Sequence, residues 1–410
     1  MTALTKTTPF ANNYTREMLQ IVQGKGVYLR DAEGSRYLDF GSGIAVNSFG
    51  YGDARLARVV AKQMRRVVHV SNLYTTPPAL ELGYRLLEFA AGVGRHPFGA
   101  VYFGNSGAEA NESAIKYARL YATETRGPGH HKVLSFEDAF HGRTMGALSA
   151  TPKPAYRTKF EPLVPGFETV PYNDPAAVEA VLDDSFAAVI VEVVQGEGGL
   201  TPINHETVRV LNEITARHDI LLIADEIQTG MGRLGDFFGS TAVGLKPDIV
   251  TLSKPLAGGL PLSATLIPER VNERVSPGDH GTTFGGGPVT SQAALYVLDR
   301  LTREGFIQTV RERAAQLEEG LQVLMNRHDF IRELRGRGML RGLRIDFGDR
   351  QEALFPTIIP TARETGLLIL RSGDDVIRIA PPLVISRRDL ERGLSLLEET
   401  LATVAAKRDG

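Results

Sequence analysis

Cysteine is absent from the 410 residues, which excludes disulfides, zinc–thiolate sites and thiol nucleophiles and suits either redox environment. Charge of one sign is lacking too. Lys and Arg total 46 against 48 Asp and Glu, a formal net charge of −2, so the chain offers no electrostatic footprint for nucleic acid or an anionic membrane. No apolar run approaches membrane-spanning length, and the stretch FAAVIVEVV is broken by Glu192. The opening residues, MTALTKTTPFANNYTREM, hold no apolar core of signal-peptide length. A cytoplasmic location is therefore expected, and the patterns Asn13-Tyr14-Thr15 and Asn111-Glu112-Ser113 carry no meaning as glycosylation sites without secretion. None of the nine histidines forms a ligand cluster, so no metal is expected. There is no internal repeat and no low-complexity segment.

What is present is an alternation of short apolar runs with longer stretches of helical period. AVYF (100–103), KVLSF (132–136), AAVIVEV (187–193), ILLIA (220–224), DIVTL (248–252) and SATLI (263–267) read as buried strands, rich in β-branched residues and too short for helices. Between them lie amphipathic stretches at Ala108–Thr123, Pro175–Leu182 and Glu206–His218. This predicts an α/β fold, with a mostly parallel sheet covered by helices on both faces. The ends differ. GKGVYLRDAEGSRYLDF (24–40) alternates and carries turn signals, so it reads as an antiparallel meander. Helical stretches at Gln308–Arg327 and Arg387–Ala405 flank short strands near 340–347 and 367–379. The expected division is an N-terminal segment, 1–52, joining a smaller α+β domain at 299–410, around a large domain at 53–298.

The strand ILLIA ends in two adjacent carboxylates, Asp225 and Glu226. An ionised carboxylate at the edge of a core is costly unless a cation or hydrogen-bond donors meet it. In open α/β sheets ligands sit beyond the carboxyl ends of the strands, where Asp225 lies. The following strand, DIVTL, leads into Ser253-Lys254-Pro255 and then a glycine-rich loop. Upstream, AVYF runs through a turn of small residues into a helix. The backbone N–H groups of Ser106, Gly107 and Ala108, with the Ser106 hydroxyl, would form an anion site there. No G-x-x-x-x-G-K-[ST] pattern occurs, and GSGIAV lacks the third glycine of a dinucleotide loop, so a single phosphate fits better than a longer one. Taken singly, each piece has a bland reading: a solvated loop lysine, a simple helix cap. Together, a phosphate cradle, an amine for an aldehyde and an acid for a ring nitrogen point to pyridoxal 5′-phosphate. Lys254 would carry it as a Schiff base and move the proton between carbons, and Asp225 would hold the ring nitrogen protonated.

At this point nearly the whole chain resembles the class III aminotransferases, fold type I enzymes, and within them the acetylornithine/ornithine group. The resemblance rests on NSGAEAN (105–111), FHGRT (140–144), LIADEIQTGMGR around Asp225, TLSKPLAGGLP around Lys254 and GDHGTTFGG (278–286). It implies a central sheet of the seven-stranded type, stacking of Phe140 on the cofactor ring, with His141 beside it in no assigned role, and Gln228 on the phenolic oxygen. Thr283 is implied to reach the cofactor phosphate of a partner subunit, hence a homodimer. On the substrate side it implies Arg143 for a distal carboxylate and Arg378, in VIRIAPPLVI, for the α-carboxylate of glutamate. Glu197, in VVQGEGG, is implied to mask Arg378 while an ω-amine reacts. Tyr14 and Ile44 complete the substrate-facing set.

Departures from the family pattern are Val193 after Glu192, Gly286-Gly287-Pro288, Gly50-Tyr51 and Pro255 after Lys254. None removes a catalytic group. GSGIAVN (41–47) places Ile44 where ornithine aminotransferases tend to have tyrosine, and an apolar side chain offers nothing to a free α-amine. The resemblance thus favours N-acetylornithine with 2-oxoglutarate, ahead of 4-aminobutyrate, ornithine or another ω-amino acid. Aminomutases, racemases and a decarboxylase share the cofactor residues, but they need no second acceptor and so no Glu197–Arg378 gate. A binding module without cofactor would require Lys254, Asp225 and NSGAEAN to coincide by accident.

Overall fold

In a computed structural model, which describes residues 9–15 and 19–407, the seven strands of the central sheet are β4 (Phe98–Gly104), β5 (Lys132–Phe136), β6 (Phe167–Val170), β7 (Phe186–Glu192), β8 (Leu221–Asp225), β9 (Ile249–Leu252) and β10 (Ser263–Pro268). Three further strands, β1 (Ile21–Lys25), β2 (Tyr28–Asp31) and β3 (Arg36–Asp39), precede them. After them come β11 (Ile331–Arg337), β12 (Leu340–Ile345), β13 (Leu367–Leu368), β14 (Leu370–Ser372) and β15 (Val376–Ile379).

The central sheet runs in the order β4-β10-β9-β8-β7-β5-β6. Strands β7 and β8 are buried along their whole length, as continuous apolar runs are when helices cover both faces of a parallel sheet. Among the paired strands, β10 alone departs from the parallel direction, running antiparallel to both β4 and β9. Only a short loop joins β9 to β10, too little chain for the crossover that a parallel neighbour needs. The helix Gly107–Arg126 crosses behind this sheet. Its N-cap, Ser106, accepts a hydrogen bond from the Glu109 N–H, while the Glu109 carboxylate accepts one from the Asn105 N–H at 2.7 Å. That is a close variant of the reciprocal Ser-x-x-Glu box.

The meander β1-β2-β3 gains a fourth strand from far along the chain: β13 pairs parallel with β3, Leu367 opposite Leu38. A second four-stranded sheet, β11-β12-β15-β14, is formed wholly by the C-terminal part. Arg233, fully buried, ties the three regions together. It donates to the carbonyls of Met339 and Pro381 and to the Ser48 hydroxyl. The helix Pro288–Leu301 runs unbroken through position 298. Two strands were not expected from the sequence. β6 is an edge strand with one buried residue, and β11, IRELRGR, is an edge strand whose charged side chains face outward. Among the described residues, no helix is long and apolar enough to cross a membrane, and no cluster of three metal-ligating side chains occurs.

Candidate active site

The sheet delivers its chemistry at the carboxyl ends of β7, β8 and β9. In register, Asp225, the last residue of β8, lies between Glu192 of β7 and Thr251 of β9. Its Oδ2 accepts hydrogen bonds from Asn111 Nδ2 and His141 Nδ1, each at 2.8 Å, and its Oδ1 accepts from the Ile227 N–H at 3.1 Å. Asn111 sits on the helix Gly107–Arg126 and is itself held. Its Nδ2 also donates to the His141 carbonyl at 2.7 Å, and its Oδ1 accepts from the Thr251 hydroxyl at 2.9 Å. The imidazole N–H thus faces the carboxylate, and the other ring nitrogen, Nε2, is buried without a partner. Asp225 is oriented by three donors, which leaves a carboxylate aimed and available for a cation. The adjacent Glu226 is spent structurally: it accepts from the N–H groups of Gly239 and Ser240 and from the hydroxyls of Ser240 and Thr229.

Asp225 opens onto a cavity of about 250 Å³ lined by Gly107, Ala108, Phe140, His141, Gly142, Arg143, Glu192, Ile227, Gln228 and Lys254 as well. Lys254 lines this cavity with its side chain largely withdrawn from solvent. Burial pushes its amine below the ordinary lysine range, while Asp225 and Glu197 pull it back. A buried amine that gives up its proton readily is a nucleophile. Gly107 and Ala108 bring first-turn N–H groups that the helix itself cannot satisfy. The space is cut for glycine at Gly142, whose φ is 137° and where a Cβ would lie 2.8 Å from Ala108 Cβ. The Ser106 hydroxyl, expected in the anion cradle, is engaged with Glu109 instead and does not line the cavity.

The wall around Lys254 carries the ion pair expected from the sequence. Arg378, on β15, donates from Nη1 to Glu197 Oε1 at 2.6 Å and to the Gly196 carbonyl at 3.0 Å. The loop holding Glu197 is fastened to the C-terminal sheet by Ser372, whose hydroxyl donates to the Gly196 carbonyl and accepts from the Gly199 N–H. At the cavity mouth Arg143 lies 3.5 Å from the Tyr156 ring centroid and 5.6 Å from that of Phe140.

Besides Ser106, three expected residues lie away from this cavity. Tyr14 is 71% exposed and Ile44 41% exposed, both outside the lining. Thr283 is exposed in a separate hollow of about 670 Å³ that it shares with Asn72, Tyr102, His280 and Thr282. Ile44 sits in an unforeseen conformation. Ser42, Gly43, Ile44 and Ala45 have φ of 49°, 60°, 66° and 61°, a full left-handed turn. Asp39 Oδ1 accepts from the N–H groups of Gly41 and Ser42, and the Ser42 hydroxyl donates to the Ala380 carbonyl at 2.7 Å. Other residues have a place at the site that the sequence did not announce: Asn111 within NSGAEAN, Tyr156, and above all Glu192. Its only signal was a charge inside an otherwise apolar run.

The donor set fits pyridoxal phosphate. Three residues lining the cavity carry a buried atom without a hydrogen-bond partner: His141 Nε2, Glu192 Oε2 and Gln228 Oε1. A wider crevice of about 650 Å³ runs between the meander and the C-terminal helix, but its basic residues Lys25, Arg30 and Arg36 are exposed and do not converge.

Comparison with known proteins places this geometry. The aminotransferase class-III family model matches residues 10–401. The acetylornithine aminotransferase of Caldanaerobacter subterraneus is 39% identical over 393 residues, covering 96% of this chain and 97% of that protein. Among solved structures, the ornithine aminotransferase of Toxoplasma gondii, described with partial occupancy of PLP at its active site, is similar with a TM-score of 0.91 at 30% identity, covering 98% of this chain and 93% of that one. The N-acetylornithine aminotransferase of Stenotrophomonas maltophilia gives a TM-score of 0.82 at 30% identity, covering 96% and 98%.

Proposed function

The chain belongs to the class III aminotransferases, and from that premise we propose that it moves the ω-amino group of N-acetylornithine to 2-oxoglutarate, using pyridoxal 5′-phosphate. The observation that carries this reading is the Glu197–Arg378 pair beside the buried Lys254. Closed, the pair hides a carboxylate-binding guanidinium while an ω-amine reacts. Opened, it offers that guanidinium to the α-carboxylate of 2-oxoglutarate. One cavity thereby serves two substrates in turn, which a mutase or racemase does not require.

Bound in the cavity, pyridoxal phosphate supplies an aldehyde and an electron-withdrawing ring. The chain's residues do the rest. Gly107 and Ala108 N–H groups hold the phosphate, with Thr283 of the partner subunit adding a hydroxyl. Asp225, oriented by Asn111 and His141, holds the proton on the ring nitrogen. Phe140 covers one ring face, and Gln228 meets the phenolic oxygen. Lys254 would hold the cofactor's aldehyde at rest, and its freed Nζ would be the group that takes the proton from the donor's amine-bearing carbon and returns it to the former aldehyde carbon. Arg143 leaves the Tyr156 face to fork onto the donor's carboxylate.

A homodimer is part of the proposal. Leu73, Tyr74, Tyr84 and Phe284 are 88%, 72%, 72% and 66% exposed, a set of large apolar side chains suited to a partner's surface. So are a cytoplasmic location and a small domain made of residues 1–52 with the chain beyond the helix Pro288–Leu301. Ornithine is the second reading of the donor, favoured by the closer structural match to an ornithine aminotransferase.

The test is the visible spectrum of the purified yellow protein. N-acetylornithine should collapse the cofactor band and 2-oxoglutarate should restore it. Collapse with ornithine or 4-aminobutyrate alone keeps the chemistry and overturns the donor. A colourless protein that takes up no pyridoxal phosphate overturns the whole reading.

A further inference from the structure

Glu192 is the one acid of the cavity wall whose charge nothing meets. Glu197 is paired with Arg378 at 2.6 Å, and Asp225 is bonded by Asn111, His141 and the Ile227 N–H. Glu192 is 5% exposed, with the Phe140 backbone N–H beside its carboxyl, while its Oε2 is buried with no hydrogen-bond partner. Its main-chain carbonyl is already taken by the Tyr172 hydroxyl at 2.8 Å. The charged and titratable side chains facing it are Asp225 from β8, Glu197 from the loop after β7, Lys254 from the loop after β9 and Tyr172, with His141 and Arg143 on the same cavity. Two of these are acids, and the lysine is itself driven toward its neutral form by burial. Burial and the neighbouring acids push the Glu192 carboxyl well above the ordinary carboxylate range. A third buried anion in this space would stand uncompensated, and a carboxyl in that position keeps its proton.

A second unsatisfied oxygen lines the same cavity, Gln228 Oε1. The Gln228 amide lies directly over Gly196: a Cβ there would fall 2.0 Å from its Nε2 and displace it. Two acceptor oxygens on one wall are mutually useless until one of them carries a proton.

We propose that Glu192 is a positioning residue that works as a buried neutral acid, donating its Oε2–H to Gln228 Oε1 so that the Gln228 amide presents N–H to the phenolic oxygen of the bound cofactor. This rests on the functional reading above and assigns a role to a residue that touches the cofactor only through another. With its own oxygen occupied, Gln228 cannot rotate to face an anionic oxygen with an acceptor, which would repel it. Glutamine at 192 can make the same donation, because its amide also donates, whereas alanine cannot.

The test uses the protein saturated with pyridoxal phosphate at neutral pH. The infrared difference between wild type and Glu192→Gln should contain a carboxylic-acid C=O band. Loss of carboxylate bands alone overturns the proposal. Cofactor dissociation constants give the second readout. Glu192→Ala should weaken binding about tenfold, the scale of one buried hydrogen bond, and Glu192→Gln should recover most of that. Adding Gln228→Ala to Glu192→Ala should cost nothing further, because the two act as one unit. Glu192→Gln binding as weakly as Glu192→Ala, or additive losses in the double variant, overturns the proposal while normal uptake by the wild type leaves the aminotransferase reading intact. A wild type that takes up no cofactor sinks the functional reading, and the cofactor half of this proposal falls with it.

Discussion

Lys254 shows what burial does to one side chain. Its amine lies below the ordinary value of 10.5 chiefly because it is desolvated, and the Arg378 guanidinium adds to the same push. Between the depressed folded value and 10.5 the unfolded chain holds a proton that the folded chain has lost. Stability of the cofactor-free protein therefore rises with pH across that interval, is flat below it, and at neutral pH carries the cost of the buried amine. Lys254→Met should accordingly raise the thermal midpoint of the cofactor-free protein at pH 7, with the gain shrinking as the pH approaches the ordinary lysine value. The same variant should lose turnover by at least about a thousandfold, since both the nucleophile and the proton carrier are gone. Retained turnover in steady-state assays would end the assignment of Lys254. Lys254 and Asp225 were legible from their positions at strand ends. Glu192 was not, because a single acid after an apolar run says nothing about whether a cation will lie beside it.

At the level of elements, period and composition located the buried strands and five helices to within a few residues, but not the helices Ala54–Met64, Pro77–Phe89 and Pro288–Leu301. They did not reveal β6 and β11, edge strands that bury too little to show a pattern, nor the reversal of β10, which depends on how little chain separates it from β9. Nothing in GSGIAVN announced a left-handed turn. A β-branched residue at φ of 66° costs about 1–2 kcal/mol, held here by the side chains of Asp39 and Ser42. Ile44→Asn, a residue at ease in that conformation and replacing a side chain already 41% exposed, should stabilise the protein by about 1 kcal/mol in thermal unfolding. If Ile44 also selects the donor, the same variant should raise KM for N-acetylornithine more than for 2-oxoglutarate. Destabilisation by Ile44→Asn would mean that the turn is packed rather than strained.

At the scale of the molecule, the site is assembled from distant parts of one chain. Glu192 and Asp225 come from the central sheet, Asn111 from the helix Gly107–Arg126 and Arg378 from the C-terminal sheet. Phe284, 66% exposed one residue after Thr283, is the probe for a second subunit. Phe284→Asp should shift the protein toward monomer in sedimentation and weaken cofactor binding more than about tenfold, because an aromatic anchor and the neighbouring threonine leave together. A monomeric wild type with full activity would refute the composite site.

By itself the sequence determined the strand–helix alternation, the family and the residues at the strand ends, because those follow from local periodicity and from short ordered motifs. Tertiary structure alone decided which charges are compensated. Glu197 meets Arg378 across 181 positions, His141 and Asn111 meet Asp225, and Glu192 Oε2 is left without a partner. Whether a buried carboxyl is an anion or an acid depends on the groups within a few ångströms of it, and those neighbours are set by the fold rather than by their spacing along the chain.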